Sequence, residues 1–280
     1  AVLAVIFIWW ERRVEHPMLR MEFFRNPRFS AASGAITLTF FALFGSVFLL
    51  TQYLQFVLGY TPLQAGFRVL PIAAMIVAAP TAARLVESIG TKVVVAAGLA
   101  TVATGLWLLS TVDVASGYGL VAASLAVLGT GMGLTMAPAT ESIMGSLPLA
   151  KAGVGSAMND TTRMVGGALG VAVLGSILAS SYGAAIEPAL RSAPPQVAEV
   201  AGDSIGGASG LAQQIGGPAG DVLLQGARGA FIEGMGDAVL VGSAVAAAGV
   251  FLVLFFLPAR ARSRKETAMP VEPAPAEARG

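Results

Sequence analysis

The chain has 280 residues, of which 55% are hydrophobic and 12% charged, with a mean hydropathy of +0.76, whereas a soluble domain carries about 25% charged residues. Seventeen basic residues against sixteen acidic ones leave a net charge of +1, so nothing in the overall charge supports nucleic-acid binding. With no cysteine, and His16 as the single histidine, disulfides, thiolate metal sites and cysteine nucleophiles are excluded, and histidine metal sites lose most of their ligands.

Residues 1–10 are apolar and cover about half of a bilayer crossing, so they read as the end of a truncated transmembrane helix. The charged residues behind them do not fit a signal peptide. Residues 11–29 form a polar linker in which Arg12, Arg13, Arg20, Arg25 and Arg28 stand beside Glu11, Glu15 and Glu22, with Trp9 and Trp10 at headgroup level. Asn26-Pro27 breaks the chain ahead of a first complete span predicted over 30–58. The stretch YLQFVLGYTPLQAGFRVLP, 53–71, is then a tight turn between two apolar helices: Gly59 ends one without a Cβ penalty, Thr61 caps the next and Pro62 fits its first turn.

The second span is predicted over 62–86, with kinks at Pro71 and Pro80, each of which removes an internal hydrogen bond. A short loop at 87–91 leads to a third span, 92–111, and a turn at 113–117 leads to a fourth, 118–143. The fifth, 153–181, carries Asn159, Asp160 and Arg163 early and then Gly166, Gly167 and Gly170, spaced for close helix packing. Over about 182–228 the composition turns to Gly, Pro, Ala and Gln, and Pro194-Pro195 interrupts any helix, which predicts a long loop with at most short helical pieces. A sixth span, 231–257, closes a six-helix region over 30–257. The tail, 258–280, is basic, then Pro- and Ala-rich, and is expected to be disordered.

Lys and Arg concentrate in alternate connections: the linker, Arg84 and Lys92, Lys151, and the tail lie on one side, while the other has only Arg191 and Arg228. The basic side, with the linker and the tail, is expected to be cytoplasmic. The sequence therefore reads as an all-α polytopic protein of the plasma membrane, with its C-terminus in the cytosol and the 182–228 loop outside.

YLQFVLGYTPLQAGFRVLP, ERRVEHPMLRMEFFRNPRFSAA before it and AGVGSAMNDTTRMVGGALGVAVLGS after it together resemble the C-terminal portion of the fourteen-helix drug:proton antiporters of the major facilitator superfamily. The resemblance implies a major-facilitator half: six transmembrane helices in two inverted three-helix repeats, preceded by the end of helix eight. It further implies a bacterial inner-membrane exporter of small hydrophobic or amphipathic compounds that works by alternating access. Its coupling ion would be the proton, with no cofactor, and its partner would be the missing N-terminal helices of the same transporter. AARLVESIGTK sits where the family carries a cytoplasmic gating loop; Arg84, Gly90 and Lys92 agree with that loop, whereas Glu87 and Ser88 stand where Asp and Arg are commoner.

Several polar residues are candidate sites, each with a plainer reading. Gln52, Tyr53 and Gln55, near the outer end of the first span, either bind substrate from the cavity or form a hydrated interfacial cluster. Arg68 lies roughly 9 Å inside the second helix at a 1.5 Å rise, where it either holds an outer gate against a carboxylate of the missing half or snorkels to the surface. Glu141, Asp160 and Arg163 are candidates for gating or proton coupling, since intramembrane charges are costly; in the plainer reading they are interfacial, with Asp160 and Arg163 paired at i, i+3. Gly129, Gly133 and Pro138 read as packing or hinge positions rather than a nucleotide loop, because no strand precedes them. Asp237 reads as outer-interfacial. No cluster has catalytic spacing, which argues against an enzyme. Two rival readings remain: a non-transporting membrane protein or gene remnant, and an exporter dedicated to one natural product, lipid or siderophore.

Overall fold

The computed structural model describes residues 24–114, 116–147, 152–191 and 193–258, together with Trp9, Trp10 and Arg13. Most of the helix end expected over 1–10, most of the linker 11–29, Lys151 and nearly all of the tail 258–280 lie outside the described residues. Among the described residues there is no strand, and six helical spans are long and apolar enough to cross a bilayer. The protein is an all-α, multi-pass membrane protein.

The first span is α1 (Pro27–Gln52), opened by Asn26, whose side chain accepts from the Arg28 amide, and closed by a π-helical turn over Tyr53–Val57. Gly59 has φ 71°, the left-handed conformation that costs glycine least. Thr61 and Gln64 then form a complete capping box, the Gln64 amide donating to Thr61 Oγ1 and the Thr61 amide to Gln64 Oε1. The second span consists of α2 (Pro62–Arg68), a 3₁₀ turn over Leu70–Ala73 around Pro71, and α3 (Ala74–Ile89), which contains Pro80. A proline has no N–H to give, so the tighter turn replaces α-helix where Pro71 falls.

Gly90 alone, with φ 91°, links α3 to α4 (Thr91–Ser110). The remaining spans are α5 (Tyr118–Met144), α6 (Ala152–Leu190) and α9 (Gly217–Phe256). Where composition suggested a long loop over 182–228, the chain is helical for most of its length. The α6 helix runs on to Leu190, short helices α7 (Pro195–Asp203) and α8 (Ile205–Ile215) follow, and α9 begins at Gly217. Burial explains the difference. Tyr182 is almost wholly buried and donates its hydroxyl to the Ala201 carbonyl at 2.8 Å, while Ala201, Ile205 and Ala208 fill the same core. Tertiary contacts thus hold α7 and α8 in place despite a composition that favours turns.

The spans pair in two matching sets. The first packs on the fifth (α1 on α6) and the fourth on the second (α5 on α3); α4 and α9 pack on each other, α4 flanking α5 and α9 flanking α1. Exchanging spans one, two and three for four, five and six maps these contacts onto one another. Span four runs opposite to span one, so the two three-helix repeats are inverted. The match is incomplete, because α9 also lies along α6 whereas α4 barely touches α3. The second span is therefore peripheral: 11% of its most apolar stretch is buried, against 56% for α4.

Glycines set the closeness of both pairings. Gly166 and Gly170 of α6 lie against the carbonyls of Thr37 and Phe41 in α1, and Gly129 and Gly133 of α5 lie against those of Ile72 and Met75 in the second span. A Cβ at any of the four would collide with main chain. In lipid there is no hydrophobic drive between helices, so such backbone approach is a main source of attraction. Buried Pro138 lies inside α5, one turn past the glycines.

Candidate functional site

The residues that stand out in the structure differ from those that stand out in the sequence. Phe40, Phe44, Phe48 and Gln52 follow one another at intervals of four along α1, and side chains so spaced share a helix face. Phe40 and Phe44 stack with centroids 6.0 Å apart and planes 25° apart. Phe44 and Phe48 remain 49% and 38% exposed although they lie in the middle of a span. Their neighbours on α6 are glycines: an ideal Cβ on Gly167 would fall 3.1 Å from the Phe44 ring, and one on Gly175 3.2 Å from that of Phe48. Without side chains at these positions the rings can lie close against α6 while staying partly exposed.

The stripe ends in a cavity of about 180 Å³ whose walls include Phe48, Gln52, Tyr182, Phe231 and Asp203. The three rings give it aromatic walls, Gln52 contributes an amide, and Asp203, at the end of α7, puts an exposed carboxylate beside them. At the other end of the stripe the Arg163 guanidinium lies 5.4 Å from the Phe40 ring centre, within range of a cation–π attraction. Arg163 Nε is buried and has no hydrogen-bond partner. The face thus offers aromatic surface between a cation at one end and a carboxylate at the other.

The sequence candidates fall in different places. Of Gln52, Tyr53 and Gln55, only Gln52 reaches the cavity. Tyr53 is 0% exposed with an unpartnered hydroxyl, so it is a core residue and neither lines a cavity nor belongs to a hydrated cluster. Gln55 turns its amide back to the Thr51 carbonyl at 3.2 Å. Neighbours in sequence diverge because each residue turns about 100° from the last. The π turn also leaves the Phe56 carbonyl to accept from Arg228 Nε of α9 at 3.1 Å.

Arg68 neither snorkels freely nor meets a carboxylate among the described residues. Its guanidinium lies 3.7 Å from the Tyr60 ring centre and 5.6 Å from that of Tyr118, and the Tyr118 hydroxyl donates to the Arg68 carbonyl at 2.9 Å. Tyr118 thereby ties the start of the second span to α5, while Tyr60 holds the guanidinium from the preceding turn. The Asp160–Arg163 pair expected at i, i+3 is not formed among the described residues. Asp160 points outward, and Arg163 faces α1 instead, so the polar contact in this region is that of the Thr140 hydroxyl with buried Asn159 at 3.4 Å. Glu141 is exposed near the end of α5. Asp237 is also exposed and accepts from the Ser181 hydroxyl at 2.8 Å, joining α9 to α6.

The segment expected as a gating loop is a single-residue link. Arg84 and Glu87 lie exposed within α3, Gly90 makes the turn, and half-buried Lys92 opens α4. Sequence reasoning passed over the phenylalanine stripe because it weighed polar residues first; the spacing of Phe40, Phe44 and Phe48 was the available signal. Nothing in the sequence signalled that Tyr182, Asp203 and Phe231 meet.

A sequence model described as Major Facilitator Superfamily matches residues 1–171. The chain is 38% identical over 196 residues to the multidrug resistance protein Stp of Mycobacterium tuberculosis, covering 70% of this chain and 36% of that protein. It is 32% identical to the tetracenomycin C resistance and export protein of Streptomyces glaucescens, over 100% of this chain and 53% of the relative. To the multidrug efflux pump LfrA of Mycolicibacterium smegmatis it is 30% identical, over 91% of this chain and 51% of the relative. The chain spans about half the length, or less, of these curated relatives.

Proposed function

This chain belongs to the major facilitator superfamily, and on that premise we propose that it forms the C-terminal half of a proton-coupled exporter of hydrophobic or amphipathic compounds in the plasma membrane. The observation that carries the reading is the phenylalanine stripe of α1, two of whose rings stay uncovered in mid-span and lead to an aromatic cavity. Packing within this half leaves Phe44 and Phe48 partly exposed, and a pathway for flat apolar molecules would use them, because aromatic contacts add about 0.5–1.5 kcal/mol each beyond area burial.

The helices preceding this chain in a whole transporter would cover the open faces of the second span and of α6, where Val77 and Met164 are the most exposed. Alternating access would then rock that half against this one about the stripe. Inward proton movement supplies about 2.3 kcal/mol per 100 mV and about 1.4 kcal/mol per pH unit. Together these sustain a gradient of several hundredfold per proton, by the usual factor of ten per 1.4 kcal/mol. The C-terminus would be cytoplasmic, following the distribution of Lys and Arg. A narrower reading, export of one natural product, is favoured by the similarity to a protein named for tetracenomycin C export.

The test is efflux from proteoliposomes that hold the full-length protein, upstream helices included, under an imposed pH gradient. Accumulation of a fluorescent amphipathic dye that collapses with a protonophore supports the proposal. Movement that ignores the gradient contradicts the coupling, and no movement of any hydrophobic compound contradicts the export.

A further inference from the structure

At the end of the bundle where α1 begins and α9 finishes, a second cavity of about 390 Å³ opens between the two helices. Phe24, Pro27, Ala31, Leu252 and Phe256 form its walls, and Arg25 stands at the rim. Ala31 and Leu252 each lie one helical turn, roughly 6 Å, inside the helix ends, so the apolar floor sits deeper in the bilayer than the cation. The Ser30 hydroxyl, also at the wall, is engaged with the Phe24 carbonyl at 2.6 Å. Among the described residues, that leaves the exposed Arg25 guanidinium as the charged group at the cavity.

The surface of α9 beside the cavity is apolar: Phe251 and Phe255, next to the wall residue Phe256, are like it exposed by more than half. In the sequence this end of α9 is followed directly by Arg260, Arg262, Arg264 and Lys265. The cavity is also distinct from the phenylalanine stripe. Ala31 and Phe40 are nine residues apart, about two and a half turns at 100° per residue, so they occupy opposite sides of α1.

A slot with an apolar floor one turn below an exposed cation, at the end of two membrane-spanning helices, matches one class of ligand. We propose that this cleft binds an anionic glycerophospholipid, with its phosphate on Arg25 and an acyl chain along Ala31, Leu252 and Phe256. Basic pockets between transmembrane helices recognise charged lipid headgroups in this way. The inference rests on the chain spanning a bilayer and not on its transporting anything.

The test is native mass spectrometry of the full-length protein, purified with equimolar phosphatidylglycerol and phosphatidylethanolamine. The wild type should retain phosphatidylglycerol at least fivefold over phosphatidylethanolamine. Arg25→Gln should bring the two to parity. Phe256→Ala, at an exposed wall position that the fold tolerates, should lower retention of both. Arg191→Gln, which removes a charge at the opposite end of the bundle, should leave the pattern as in the wild type, and millimolar inorganic phosphate should displace nothing. Equal retention of the two lipids by the wild type, or an unchanged preference in Arg25→Gln, would overturn the proposal. So would displacement by free phosphate, which would mean an ion site rather than a lipid site.

Discussion

The α1 and α5 helices occupy equivalent places in the two repeats, and each is held to its partner span by glycine against carbonyl, yet their open faces differ. The α1 helix shows Phe44 and Phe48. An exposed face of α5 shows Ala123 and Ala137, with half-buried Thr130 between them and Glu141 at its end. Packing is thus repeated and surface chemistry is not. The seams need small residues wherever two backbones approach, which fixes Gly129, Gly133, Gly166 and Gly170. The open faces carry no such constraint, so one is aromatic and the other is small.

The largest expected effects fall on what the two repeats share. Gly170→Val and Gly129→Val drive a side chain into a main-chain carbonyl, and even tolerable overpacking costs about 1–3 kcal/mol. Both variants should therefore lose most of their monodisperse fraction on size-exclusion chromatography. Gly119→Val, where nothing lies within 4 Å, should elute as the wild type. If only one seam variant suffers, the two pairings are not equivalent.

Effects on the open faces should be smaller and should spare the fold. Phe48→Ala removes one aromatic contact, and at about 0.5–1.5 kcal/mol the KM for an aromatic substrate should rise roughly two- to tenfold, with thermal stability unchanged. Ala137→Phe, on the small face, should shift the preference toward smaller compounds if that face borders the same path. Efflux kinetics across a series of dyes of increasing size would measure both.

A stability difference confined to single hydroxyls separates two buried tyrosines that look alike in the sequence. Tyr182→Phe loses the bond to the Ala201 carbonyl and strands that acceptor, at a cost of about 1–3 kcal/mol. Tyr53→Phe removes a hydroxyl that has no partner, so it should be neutral or slightly stabilising. Thermal unfolding in detergent should give a lower midpoint for the first and an unchanged or higher one for the second.

What could be read from the sequence follows the same division. Local rules acted where chain geometry decides: Asn26-Pro27 opens α1, and Gly59, Thr61 and Pro62 make the turn between the first two spans with the predicted cap. Composition failed where distant partners decide. Residues 182–228 look like loop by their Gly, Pro and Ala content, yet Tyr182 and Ile205 are buried together and the segment is largely helical. The candidate site was the least legible part. Intramembrane charges drew attention to Arg163 and Asp160, but which direction a charge faces depends on packing, and Arg163 turned out to lie over Phe40. The cavity joins residues from α1, α6, α7 and α9 that no local pattern connects.

The absence of cysteine from this chain permits a direct test of the central claim, that the phenylalanine stripe lines the substrate path. Phe48→Cys and Leu50→Cys are introduced singly into the full-length protein, made free of other cysteines, and exposed in membranes to a water-soluble maleimide. The account predicts that Phe48→Cys is labelled, that a transported compound slows its labelling several-fold, and that Leu50→Cys, wholly buried in the wild-type packing, stays unlabelled. Labelling of Phe48→Cys at the same rate with and without the compound, or no labelling at all, would contradict it.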